Sequence, residues 1–299
     1  MPLKRRGPEV PQGKVALIDG DIVRYQAAAV SDSVSYHHPE RTQVTCHYKK
    51  DMIQYCQQED LDLTIDLIKT ITPEPVEFCL HTIKMMIESI TLGAGCTSAR
   101  VFLTGKGNYR ETLAVTYPYK GNRDNTAKPT HFDAAGDYLK DRFNAETIDG
   151  CEADDALGYE SMLDPKGTVL CTTDKDLLMI PGWHYSWSST AEKMKYFDYP
   201  HNKPFEIDLY NADKWFYLQL LMGDKTVDNI YGIHGIGLAR AMKLLEDDGI
   251  VEHPRILKEW YSTVAGAYEQ AGLGHDFLVE NAHLLWMQRE KGKLWEVPV

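Results

Sequence analysis

Three carboxylates fall within four residues at Glu152-Ala153-Asp154-Asp155, just after Gly150-Cys151 and at the head of a segment with helical character. Further along, Thr173-Asp174-Lys175-Asp176 follows a short apolar run, and the stretch Gly223 to Asn229 adds Asp224 and Asp228. Asp19 closes the run Lys14-Val-Ala-Leu-Ile-Asp19. Taken singly, each acid fits an ordinary role, because free N–H groups at a helix N-terminus favour negative charge and Asp is a common cap. Eight acids in one small volume do not fit that role. Like charges would raise one another's pKa values or force the chain apart. Divalent cations resolve the conflict: Mg²⁺ and Mn²⁺ take hard oxygen ligands, and two such ions about 4 Å apart can clamp a phosphodiester during hydrolysis. No nucleophilic side chain is then required.

Gathering these acids is a task for the elements around them. Short apolar runs at Lys14–Asp19, Ala99–Thr104 and Gly167–Thr172 read as buried strands, with another strand near Glu146–Asp149. Helical spacing marks residues 75–92, 132–143 and the segment after Asp149. Tyr185–Trp187 and Met194–Phe197 are further candidate strands, and residues 30–60 read as polar and irregular. Beyond Asp208 the pattern is mostly helical, over 211–222, 237–246, 254–271 and 275–289. Alternating strands and helices predict an α/β fold with a mainly parallel sheet covered on both faces, plus a smaller helical C-terminal unit. Sites in such folds lie beyond the carboxyl ends of the strands. Asp19, Asp174, Asp176 and the Glu152, Asp154, Asp155 group fall at that rim, joined by Asp224 and Asp228 if the helical unit folds over it. Read together on one rim, the acids are metal ligands rather than caps.

The chain of 299 residues carries a formal net charge of −12, which argues at first against nucleic acid. The charge is unevenly spread, however. Gly105 to Lys128 holds five bases against two acids, whereas Cys151 to Asp176 holds seven acids against two bases. A basic segment followed by an acidic one suits a metal-dependent enzyme acting on a phosphate polymer. The six cysteines are scattered, without a C-x-x-C pair or zinc-ligand spacing, as expected of reduced thiols in a cytosol-like compartment. Residues 1–14 lack the apolar core of a secretory signal, and no run approaches the roughly 18 apolar residues of a membrane span.

Two more segments bear on nucleic acid. Gly232, Gly235 and Gly237 allow a tight turn just before a helix, whose N-terminal N–H groups can hold a phosphate without reading bases. Arg240 and Lys243 follow one helical turn apart, and His234 reads as a turn residue. In Tyr117-Pro-Tyr119-Lys120-Gly-Asn-Arg123, bases can pair with phosphate and Tyr119 can stack on a nucleobase.

Together these blocks resemble the 5′-nuclease family: flap endonucleases, the 5′-exonuclease domain of bacterial DNA polymerase I, and bacteriophage 5′→3′ exonucleases. The matching stretches are Ile18-Asp19-Gly20, Asn108-Tyr109-Arg110 through Arg123, Glu152 to Asp155, Thr173 to Asp176, and Gly223 to Gly237. The tail, with Trp286 and Trp295, looks most like the compact phage enzymes. The resemblance implies a PIN-like nuclease core over residues 1–208 with a basic arch at about 105–130. A helical DNA-binding unit would follow over 209–299, with a helix–hairpin–helix element at about 223–246. It implies that Lys120, Arg123 and Arg110 serve catalysis, that Asp19, Glu152, Asp154 and Asp174 serve a first metal ion, that Asp176, Asp224 and Asp228 lie toward a second, and that Asp155 lies between. Potassium often sits in the family's glycine hairpin. Two features depart from the pattern. The family's acid at the end of the second strand is absent from Phe102-Leu-Thr104-Gly105-Lys106, and Asp224 and Asp228 are four apart rather than three. Gly105→Asp or Thr104→Asp would be expected to restore the missing ligand.

The expected activity is a Mg²⁺- or Mn²⁺-dependent 5′→3′ exonuclease or flap endonuclease. It would act by two metals on DNA with 5′ ends, duplex or flap, with RNA–DNA hybrids also in range. The protein would be a monomer, phage-encoded and acting in a bacterial cytoplasm. The alternatives are a non-catalytic DNA-binding relative, which the lost acid permits, and a PIN-type ribonuclease, which the glycine hairpin disfavours.

Overall fold

A computed structural model describes residues 13–122, 127–187, 199–246 and 252–298. Strand β1 (Val15–Asp19) lies at the centre of a six-stranded sheet, paired in parallel with β4 (Ser98–Asn108) on one side and β6 (Thr168–Cys171) on the other. The sheet order is β5-β4-β1-β6-β7-β8, with β5 at Glu146–Gly150, β7 at Gly182–Tyr185 and β8 at Phe205–Ile207. Only β8 runs antiparallel to its neighbour. The chain builds outward from β1 to β4 and β5, then returns to β6 on β1's other flank. The crevice at this reversal opens beyond the carboxyl end of β1, where Asp19 sits.

Period-2 alternation divides the central strands between two cores. Ala16, Ile18, Val101, Leu103, Val169 and Cys171 face helices α1 (Gly20–Val30) and α3 (Val76–Gly93), together with α5 (Phe132–Phe143). Leu17, Phe102 and Leu170 face α6 (Ala153–Leu163) and the C-terminal helices α7 (Leu209–Met222), α9 (His253–Gln270) and α10 (His275–Leu285). This second core runs without interruption from Leu17 to Trp295, across residue 208.

The stretch 30–60, read as irregular, contains structure, and it pairs with a strand beyond it. β2 (Asp32–His37) and β3 (Ile68–Pro73) form a separate antiparallel ribbon, and α2 (Lys49–Gln58) lies between them in sequence. Every residue of β3 is exposed, so no apolar alternation marked it. The strand expected at Tyr185–Trp187 lies earlier, where Trp183, His184 and Tyr185 are buried. The one expected at Met194–Phe197 lies outside the described residues. The front of the basic segment is not arch: β4 continues to Asn108, and a short helix α4 (Tyr109–Leu113) follows. Among the described residues no helix is long and apolar enough to cross a membrane, and the six cysteines are unpaired.

Candidate active site

A cavity of about 870 Å³ opens at the carboxyl edge of the sheet. Asp19 reaches it from the end of β1. Its Oδ1 accepts from Ile22 N at 3.1 Å, capping α1, and its Oδ2 accepts from the Thr172 hydroxyl at 2.9 Å. One carboxylate thus serves as cap and cavity wall together. Asp174 arrives from the loop after β6, anchored by its N–H to Thr172 Oγ1 at 3.0 Å, and its Oδ1 accepts from Asp176 N at 2.9 Å. Asp154 arrives from the first turn of α6. Burial pushes Asp19 and Asp174 up to about 7, with added repulsion from Asp21 and Asp176 respectively. Burial, with Asp19 and Asp174 close by, raises Asp154 well above the carboxylate range. Among the described residues no basic side chain forms a salt bridge with any of these three.

Four further acids of the cavity are paired with lysines of the protein itself. Glu152 pairs with Lys120 Nζ and accepts from the Tyr119 hydroxyl at 2.9 Å. Burial alone would raise Glu152, but Lys120 and Arg110 outweigh it and hold the carboxyl below its ordinary value. Asp228 lies 3.8 Å from the Lys120 ammonium and accepts from Tyr119 at 3.4 Å. Asp176 and Asp224 share Lys175, at 2.8 and 2.5 Å. β9 (Gly223–Asp224) and β10 (Ile230–Tyr231) form a small antiparallel hairpin that carries Asp224 and Asp228 to the cavity despite their spacing of four. Gly223, at φ +70°, packs so closely on Gly232 and Ile230 that a Cβ would strike their backbone. Only glycine satisfies both demands.

Asp155, expected as a ligand, is not on the cavity. Neighbouring residues on a helix point about 100° apart, and here Asp154 faces the cavity while Asp155 turns into the interior. Asp155 is fully buried, accepts two bonds from Arg110 at 2.6 and 2.9 Å, and takes a third from Gln288 N at 3.2 Å. Arg110, expected in catalysis, is likewise fully buried. It donates to the carbonyls of Leu284 and Trp286 at 2.8 and 2.7 Å. Tyr119 spends its hydroxyl on the acids and packs its ring against the core, so it is not an exposed stacking platform. Arg123 lies outside the described residues. Arg240 and Lys243 are exposed on α8 (Leu238–Leu244), beyond the turn with Gly232, Gly235 and Gly237. His234 is exposed in that turn.

Asp21 was missed. It lines the cavity, and its Oδ2 accepts from Thr104 N at 2.9 Å, beside the strand end that lacks the expected acid. In sequence it reads only as a first-turn acid of α1. Gly105→Asp does not restore a ligand here, since a Cβ would collide with Asp149 Oδ1 and lie 2.8 Å from Ile148 O. The Thr104 hydroxyl is also engaged, accepting from Ala153 N at 2.9 Å.

With this geometry in place, solved structures supply the comparison. A lysine-to-alanine mutant of T5 5′-exonuclease matches over 90% of this chain and 88% of its own, at 14% identity and a TM-score of 0.50. The fold is that of a 5′-nuclease. The T5 protein co-crystallised with metal ions matches over the same shares at 16% identity and a TM-score of 0.48. The catalytic core of Rad2 in complex with DNA substrate matches over 96% of this chain and 84% of its own, at 14% identity and a TM-score of 0.43. No protein-family model and no curated protein matches the sequence. The 5′-nuclease fold accounts for the mainly parallel core with its flanking helices and for the helical C-terminal region.

As arranged here, no three acids among the described residues close to a metal-ligand group. The donor set nevertheless fits a hard divalent cation. Asp19, Asp154 and Asp174 offer only oxygen and come from three separate elements; Asp19 is buried, the other two are half-buried on the cavity, and among the described residues none of them forms a salt bridge.

Proposed function

We propose that the protein is a divalent-metal-dependent nuclease that hydrolyses phosphodiester bonds at 5′ ends of DNA, as an exonuclease or flap endonuclease. The observation that carries this reading is the convergence of Asp19, Asp154 and Asp174 in one cavity with Lys120 on its wall. The three carboxylates would hold Mg²⁺ or Mn²⁺, and a bound ion would supply an activated water and offset charge on the phosphate. Glu152 and Asp228 orient the Lys120 ammonium, which would turn toward a phosphate oxygen when DNA competes with these carboxylates. Arg24 and Lys128 line the same cavity and add positive charge where a nucleotide would enter. Duplex phosphates are assigned to the turn with Gly232, Gly235 and Gly237 and to Arg240 and Lys243, with K⁺ at the turn as the resemblance implies. The chain acts as a monomer in this reading.

The test is cleavage of 5′-labelled duplex and flap DNA in Mg²⁺, against EDTA and an Asp174→Ala control. Release of 5′ nucleotides or flaps only by the parent protein in Mg²⁺ supports the proposal. One observation favours a second reading, a DNA binder without catalysis: among the described residues no three acids sharing the cavity approach closely enough to hold one ion. Tight binding to duplex ends with no cleavage in either metal would establish that reading instead.

A further inference from the structure

Lys175 joins two acids that come from distant parts of the chain. Its ammonium lies 2.8 Å from Asp176 Oδ1 and 2.5 Å from Asp224 Oδ2. The arrangement is braced at several points. The Lys175 carbonyl accepts from Trp215 Nε1 at 2.8 Å, fixing the backbone from which the side chain extends. Asp176 Oδ1 also accepts from Gln219 Nε2 at 2.5 Å, and Asp224 Oδ1 accepts from Val227 N at 3.1 Å. A divalent ion between Asp176 and Asp224 would need the oxygens that Lys175 now holds. An ammonium and a divalent cation a few ångströms apart repel strongly, so the position admits one or the other. The lysine side chain is 27% exposed, which leaves it a route out to solvent.

Asp19, Asp154 and Asp174 differ in kind. Thr172, Ile22 and Asp176 give Asp19 and Asp174 neutral hydrogen bonds, and among the described residues no lysine or arginine forms a salt bridge with these acids. Direct pairing with a lysine thus distinguishes Asp176 and Asp224 from Asp19, Asp154 and Asp174.

We propose that Lys175 is the resident cation of the Asp176–Asp224 position, so that the protein binds one divalent ion tightly and a second only by expelling the Lys175 ammonium. This deepens the nuclease reading and rests on it. Lys175 would then set the metal concentration at which the second position fills.

Calorimetric titration of the full-length, DNA-free protein with Mn²⁺ tests the idea without reference to activity. The parent should show one site, with a second at least about ten-fold weaker. Lys175→Met should strengthen the second site about ten-fold, whereas Lys175→Arg, which keeps the charge, should leave it weak. Two sites of equal affinity in the parent, or no gain in Lys175→Met, would overturn the role of Lys175 and leave the nuclease reading standing. If Lys175→Met does not fold, the parent titration decides alone, by one step or two. Absence of any Mn²⁺ binding would overturn this inference together with the nuclease reading.

Discussion

Arg110 and Asp155 face each other through two hydrogen bonds, of 2.6 and 2.9 Å, in an interior that water does not reach. Both belong to motifs rich in site residues, yet their work is to hold α4, α6 and the chain after α10 together. Removing one partner strands the other charge, which typically destabilises by about 3–5 kcal/mol. Asp155→Ala should therefore melt far below the parent, in metal or in EDTA. Melting near the parent temperature would return Asp155 to the list of ligands.

Asp19 and Asp174 should reveal themselves through the opposite sign. Their carboxyls rise to about 7 in the folded, metal-free protein, against an ordinary value near 4. Between these values the folded state binds more protons than the unfolded one, so metal-free stability should fall as pH rises from about 4 to about 7 and then level off. Asp174→Asn should flatten that decline and stabilise the metal-free protein at pH 7. Denaturant unfolding in EDTA across this range is the measurement, and a stability that rises with pH would contradict it.

Lys120→Met should lower single-turnover cleavage by at least about ten-fold while DNA affinity changes little, because a contact made chiefly in the transition state acts on rate. A loss of affinity with an unchanged rate at saturating enzyme would make Lys120 a simple attractor of DNA. The variant also leaves Glu152 and Asp228 without their shared cation. Its metal titration should be run alongside to separate the two effects.

Lys243 is exposed one turn into α8. A phosphate contact there contributes roughly −0.9 to the slope of log K against log salt. Lys243→Ala should flatten the measured slope by about 1 and leave sequence preference alone. An unchanged slope would place the duplex elsewhere.

The parts of this fold that were legible in sequence were those with at least one dry face. α5 spans Phe132–Phe143 as its periodicity predicted, with Asn144 ending it in a left-handed turn. β1 and β6 were legible because both faces are buried and the runs are continuously apolar. The β2–β3 ribbon exposes most of its length and left no such mark. Within the site, Asp19, Glu152, Asp154, Asp174, Asp176, Asp224 and Asp228 were all expected on one rim and do line one cavity. Asp155 is set apart from Asp154 by its two bonds to the buried Arg110 rather than by anything in the local sequence. Arg110 was not legible either, since its carbonyl partners lie 174 and 176 residues away in sequence. Asp21 was hidden for a similar reason. Its place at the cavity depends on α1 and the end of β4 meeting, as its bond to Thr104 records.

The reach of Arg110 to Leu284 and Trp286 also bears on synthesis. A ribosome adding about 5–20 residues per second needs roughly 10–35 s to extend the chain from the arginine to those carbonyls. Until then the guanidinium and Asp155 lack their final cover and stay hydrated, and the α6 end of the cavity has nothing to lock against. The nascent protein therefore passes through a long stretch of translation without a completed cavity. Ribosome-stalled chains ending before Leu284 should be readily cut by protease within α6, and chains that include Trp286 and have cleared the exit tunnel should resist.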